Sequence, residues 1–148
     1  MRILEIIPQL NVGGAESFTI NLCNEFVEHG HEVFLVVTNS LKKCGHLKRN
    51  IDPRVKLIGM EKRHGADPML FIRLPRLISR IKPDIVHTHL GAILYTVLSP
   101  IFNQVPKYFH TVHNAAEKEA TTGGRISVWA RKIQFNLHLV TPSFAFGK

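Results

Sequence analysis

Three short stretches carry the residues best suited to chemistry: Leu10-Asn11-Val12-Gly13-Gly14-Ala15-Glu16, His87-Thr88-His89 and Thr111-Val112-His113-Asn114. The glycine pair follows the apolar segment Ile3, Leu4, Ile6 and Ile7. It precedes Phe18, Leu22, Phe26 and Val27, which recur at the spacing of a helix with one buried face. Two glycines therefore stand where a strand turns into a helix. With no Cβ in the way, the backbone there can come close to a ligand. The first helical turn adds unpaired N–H groups and a partial positive charge. Such a loop suits an anion, a phosphate for example, or a sugar hydroxyl held against the main chain.

The histidines offer other chemistry. Residues two apart in a strand point the same way, so His87 and His89 share one face near the strand's end. Zinc would need a third ligand, and no Cys or carboxylate stands at a telling distance, so no metal is expected. Packed, hydrogen-bonded histidines at the sheet edge are the competing reading. His113 closes a strand among polar groups; it can donate or accept a hydrogen bond, act as acid or base near neutral pH, or serve the fold alone. Glu117 and Glu119 read as solvated loop charge rather than a glycosidase pair. Ser143 has no Gly-x-Ser-x-Gly context, which disfavours a serine hydrolase. The loop after the first strand is not Gly-x-Gly-x-x-Gly, which disfavours a nicotinamide enzyme.

The elements that must position these residues alternate along the chain. Residues 2–7 predict a strand and 15–28 a helix, with Gly30 at its C-terminal stop. Residues 32–38 form a continuous apolar run, typical of a parallel strand covered on both faces. A polar, basic segment with a short helix near Leu47 follows, then a third strand over 54–60. Leu70, Leu74, Leu77, Ile78 and Ile81 keep helical spacing, with Arg73, Arg76 and Arg80 on another face and Pro75 as an expected kink. A fourth strand is expected over 85–90, an apolar helix over 91–103 and a fifth strand over 107–112. A polar loop, an amphipathic helix around Trp129 and a sixth strand beginning near 138–141 complete the order. Alternating strands and helices predict an α/β fold: a Rossmann-like open parallel sheet with helices on both faces. Ligands of such sheets bind beyond the carboxyl ends of the strands, where the strand order reverses.

Length and charge narrow the class further. A chain of 148 residues is one domain with a proper core. Cys23 and Cys44 are far apart and lack metal spacing; they suggest a reducing compartment, with Cys23 as core filler. No secretory signal is visible, and the longest apolar run is broken by Thr96, Ser99 and Pro100, so a cytoplasmic protein is expected. The net charge of +8 is unevenly spread: residues 41–82 hold twelve bases and three acids, residues 1–40 one base and five acids. Such a band suits an anionic partner or a merely solvated basic face. Nucleic acid is disfavoured, since no groove-reading motif or platform of aromatics accompanies the charge.

Asn11-Val12-Gly13-Gly14-Ala15-Glu16, then Asn21-Leu22 and Gly30-His31-Glu32-Val33, resemble the amino-terminal half of group 1 (family four) glycosyltransferases. Pro83-Asp84-Ile85-Val86-His87-Thr88-His89 and Thr111-Val112-His113-Asn114 do so as well, and Val140-Thr141-Pro142-Ser143 more loosely. The resemblance implies one half of a GT-B fold, residues 1–148 being its amino-terminal, acceptor-side domain. It implies a retaining transfer, without cofactor or metal, from a nucleotide-diphosphate sugar to a glycan or lipid-linked acceptor in polysaccharide or glycoconjugate synthesis. Gly13 and Gly14 would approach the donor diphosphate or the acceptor, and Glu16 would open the helix. His113 would meet the transferred sugar near the reaction centre, the one catalytic residue assigned; His89 and Asn114 would line the site. Arg73, Arg76 and Arg80, with Lys42, Lys43, Lys48 and Arg49, would meet anionic lipid at the inner membrane face. The family's carboxyl-terminal, donor-binding domain is absent from these 148 residues, so the expectation is a domain that folds but does not turn over alone. A stand-alone sugar or nucleotide-sugar module, or a non-catalytic partner subunit, is the alternative.

Overall fold

A computed structural model describes residues 1–63, 67–97, 99, 105, 107–113, 129, 132 and 141–144, with residues 43 and 141–144 described by backbone alone. Six strands make one sheet: β1 (Arg2–Ile7), β2 (Glu32–Val37), β3 (Lys56–Gly59), β4 (Ile85–His89), β5 (Lys107–Val112) and β6 (Thr141–Phe144). Their order is β3-β2-β1-β4-β5-β6 and every neighbouring pair is parallel. This is the Rossmann-like arrangement expected, and its order reverses between β1 and β4.

Two helices cover opposite faces. Odd-numbered residues of β1 and β2 (Ile7, Val33, Leu35, Val37) pack with Ile20, Cys23 and Val27 of α1 (Gly14–Glu28). Even-numbered ones (Leu4, Ile6, Val36), with Val86, pack with Leu70, Leu74, Ile78 and Ile81 of α2 (Leu70–Ile81). A strand buried on both sides has no polar face, which is why β2 reads as an unbroken apolar run. Cys23 is fully buried, as its place beside the apolar stripe suggested, and burial pushes its thiol pKa up. Among the described residues no helix is long and apolar enough to cross a membrane.

The helix ends follow local chemistry. Gly30 takes φ +77°; its N–H bonds to the Val27 carbonyl and that of His31 to the Phe26 carbonyl, each at 3.0 Å. These two bonds form a Schellman motif, closed by the Phe26 and His31 rings 6.1 Å apart. At the start of α2, Asp67 accepts from the Met69 N–H at 3.0 Å and the Arg63 N–H at 3.1 Å. Its carboxylate also pairs with Arg73 at 3.3 Å. The helix runs on through Pro75 to Ile81.

The amino ends of the strands are tied by charge. Arg2 Nε meets Glu32 at 2.7 Å, Lys56 Nζ meets the same carboxylate at 2.6 Å, and Arg2 also donates to the Ile81 carbonyl at 2.7 Å. Hydrogen bonds from Lys56 and Arg2 hold the Glu32 pKa down to about 2.

Two expectations need correction, and others fall outside the described residues. β4 stops at His89, one residue early, because Leu90 turns to φ +52°. The segment after it, Leu90–Thr96, is a 3₁₀ helix rather than an α-helix. Its buried residues pair three apart, Ala92 with Tyr95 and Ile93 with Thr96, which suits three residues per turn. Asn114, Glu117, Glu119, most of the helix expected around Trp129 and most of the latter part of the helix expected over 91–103 lie outside the described residues.

Candidate functional site

The site is built where the strand order reverses. Glu5 of β1 stands directly across from His87 of β4, and the β4–β5 register sets His89 against Thr111. Glu5, His87, His89 and Thr111 therefore share one sheet face, the face that α1 covers, and His113, just past β5, reaches His89 there. The apolar layer of that face gives way here to a polar one. Glu5 and His89 are fully buried and His87 is 9% exposed.

A continuous hydrogen-bond network joins them. Glu5 Oε2 accepts from His89 Nε2 at 2.7 Å and lies 3.0 Å from His87 Nδ1. His87 Nε2 is 2.6 Å from Thr111 Oγ1, and His89 Nδ1 is 2.9 Å from His113 Nε2. Burial alone would raise the Glu5 pKa, but His87 and His89 outweigh it and hold the value at about 2. Burial pushes the His89 pKa below its ordinary value, against the pull of Glu5. The layer thus holds an ionised carboxylate kept from water by imidazoles. Apolar residues would fill the same volume at lower cost, so such a layer points to function.

Around this layer lies the rim. Helix α1 begins at Gly14 with Gly13 as its extended cap, and among the described residues no side-chain cap hydrogen bond is made there. One turn on, Phe18 meets the His113 ring edge-on at 5.5 Å and the His89 ring at 6.2 Å. The tips near residues 14, 89 and 113 thus converge. A Cβ on Gly13 would strike the carboxylate of Glu16, while one on Gly14 would meet nothing within 4 Å. Glu16 itself is 7% exposed in the first turn, a place that favours a carboxylate. Val12 is 73% exposed beside the glycines. An open cleft of about 510 Å³ adjoins the loop, lined by Cys44, Gly45, His46, Lys48 and Arg49. The Gly45 N–H bonds to the Leu10 carbonyl at 3.0 Å and so fixes the cleft to the glycine loop.

One residue of the site, Glu5, is absent from the sequence analysis, and two, Phe18 and His89, stand elsewhere than expected. The carboxylate said to be missing near His87 and His89 is Glu5, 82 residues from His87 in the chain. Its signal was a charge at mid-strand in an apolar run, in phase with Ile3 and Ile7. Donor atoms of Glu5, His87 and His89 lie within 4.8 Å of one another, a donor set that also occurs at metals. Phe18 was grouped with the buried stripe of α1; it is 39% exposed and belongs to the rim. The buried stripe is Ile20, Cys23 and Val27 with Thr19 and Glu16. His89, expected to line the crevice, sits fully buried behind His113. Arg73, Arg76 and Arg80 lie on α2, on the other face of the sheet, apart from the site.

No curated protein sequence matches the chain. The family model of Glycosyltransferase Family 4 matches residues 12–143, from the loop before Gly13 to the sixth strand. The match takes in Gly13, Gly14, His87, His89 and His113 and the strands from β2 onward, and the chain belongs to Glycosyltransferase Family 4.

Proposed function

We propose that the chain is the acceptor-side half of a retaining glycosyltransferase of GT-B architecture. It works with a nucleotide-diphosphate sugar and a glycan or lipid-linked acceptor, and a donor-binding domain faces it across the crevice. The observation that carries this reading is the meeting of the glycine loop, Phe18 and His113 at the switch point between β1 and β4. Uncapped N–H groups at the start of α1 suit a diphosphate or a sugar hydroxyl. Phe18 and Val12 supply the apolar contact that a sugar ring or a facing domain requires. His113 meets the transferred sugar, and Lys48 and Arg49 in the adjoining cleft suit an anionic group on donor or acceptor. Stabilising charge on the departing diphosphate is most of this chemistry, and the second domain supplies it, so the 148 residues bind without turnover.

The second part of the proposal concerns the membrane. Met69 (49% exposed) and Ile72 (44% exposed) fall on the same face of α2 as Arg73, Arg76 and Arg80. Apolar anchors among cations suit an anionic lipid surface.

Nuclear magnetic resonance titration of the chain with UDP-, GDP-, ADP- and dTDP-sugars tests the first part. Shifts concentrated at Gly13, Gly14, Phe18 and His113 are expected for at least one of them. Shifts confined elsewhere, or none with any donor or glycan, overturn it. Enzyme-like transfer by the chain alone would overturn the claim that it binds without turnover.

A further inference from the structure

We propose that Glu5 and His89 are positioning residues that lock His113 in one tautomer. A neutral His113 then carries its proton on Nε2 and its lone pair on Nδ1. The inference deepens the reading of His113 as the group that meets the transferred sugar, and it rests on that reading for its purpose but not for its test.

The direction of these four bonds follows from one group. An ionised carboxylate only accepts. His89 Nε2, 2.7 Å from Glu5 Oε2, must therefore carry its proton. A neutral His89 then has its lone pair on Nδ1, and His113 Nε2, 2.9 Å away, must donate to it. His113 in its neutral form is left with Nδ1 as its basic nitrogen. The side branch obeys the same logic: His87 Nδ1 donates to Glu5 at 3.0 Å, and His87 Nε2 accepts from the Thr111 hydroxyl at 2.6 Å. One assignment satisfies all four contacts with one negative charge and neutral rings. Full burial of His89 favours that neutral ring. The arrangement has the logic of a carboxylate orienting a catalytic imidazole, with a second imidazole interposed so that the charge stays in the core. Phe18, edge-on to both rings, restrains them from the helix side. A sugar hydroxyl, which can donate, suits the lone pair; protonation of a leaving group is not what this tautomer does.

The test reads tautomers directly in the folded chain labelled with ¹⁵N-histidine, at a pH where the histidines are neutral. In the wild type, His89 and His113 should each show one form, protonated on Nε2. In Glu5→Gln the lock is lifted, because an amide can either donate or accept, and His113 should become a mixture of both forms. A wild-type His89 protonated on Nδ1 overturns the proposal, and this measurement needs no variant to fold. So does a Glu5→Gln chain that is less stable but keeps the single His113 form, which would make Glu5 purely structural. Added Zn²⁺ that removes the His87 and His89 N–H signals would assign the cluster to a metal and overturn it as well. None of these outcomes depends on nucleotide-sugar binding, so failure of the glycosyltransferase reading would be seen separately.

Discussion

Gly14→Ala separates what the fold needs from what a ligand needs. Gly14 is the first residue of α1, it is exposed, and a Cβ there meets nothing within 4 Å. Inside a helix, glycine is less stable than alanine by about 0.5–1 kcal/mol. The fold alone would therefore be improved by alanine at this position, by roughly 1–4 °C in melting temperature for a domain of this size. A ligand seated on the first turn reverses the balance, because the added methyl stands where the backbone must come close. Losing one charge-assisted contact of about 1.5–3 kcal/mol weakens binding by roughly 10- to 150-fold. The assay pairs thermal melting with titration by whichever nucleotide-diphosphate sugar shifts the wild-type spectrum. Gly13→Ala is the companion: its φ of −175° is ordinary extended backbone, but its Cβ displaces the Glu16 carboxylate. That variant should melt near the wild type, since the end of a flexible side chain can move, and it too should lose binding. A Gly14→Ala chain that melts higher and binds as before would refute the argument that glycine is there for the ligand.

Acid should act strongly through Glu5. Its folded pKa is about 2 against an ordinary 4.5, so its stabilisation is complete above about pH 4.5 and is lost as pH falls toward 2. At about 1.4 kcal/mol per pH unit this amounts to about 3 kcal/mol. Urea unfolding at pH 5 and pH 2.5 should show the wild type losing its advantage over Glu5→Gln, and a constant difference between the two would count against an ionised Glu5. Gly30→Ala, at φ +77°, should lower stability by about 1 kcal/mol, read as a lower urea midpoint at unchanged slope. For the basic face of α2, Arg76→Glu with Arg80→Glu should weaken sedimentation with anionic vesicles by about 1 kcal/mol or more per charge. Binding by the wild type that ignores lipid charge and salt would end the membrane proposal.

What the sequence made legible follows from how periodicity works. The unbroken apolar run of β2 announced a parallel strand, and the four apolar positions of α2 that it buries kept their spacing despite Pro75. Gly30 read correctly as a helix stop because only one kind of residue sits easily at that φ. The glycine loop and His113 were visible because polar or flexible residues at strand ends break a local pattern. Glu5 was not, although it breaks a pattern too. Its meaning depends on a partner 82 residues away, and register across a parallel sheet is written in no local spacing. Phe18 failed for the opposite reason: an aromatic at helical spacing looks like core, whereas here it stands half-exposed against the His89 and His113 rings. The 3₁₀ turn after β4 escaped because apolar residues alone do not distinguish a period of three from 3.6.

The two ends of the sheet show how charge is used differently within one fold. At the amino ends, Arg2, Glu32 and Lys56 lie half-exposed and tie three elements together. Water screens such pairs and any of them can be replaced at small cost. At the carboxyl ends the buried carboxylate of Glu5 is surrounded by imidazoles, and removing a partner leaves a charge in the core. The first arrangement tolerates change and the second does not. Their separation along β1, from Arg2 at one end to Glu5 near the other, puts the costly one beneath the loop where the strand order reverses. A strand that needed only to be stable would carry an aliphatic side chain at position 5. The charge there makes sense as the fixed point from which His89, and then His113, takes its orientation.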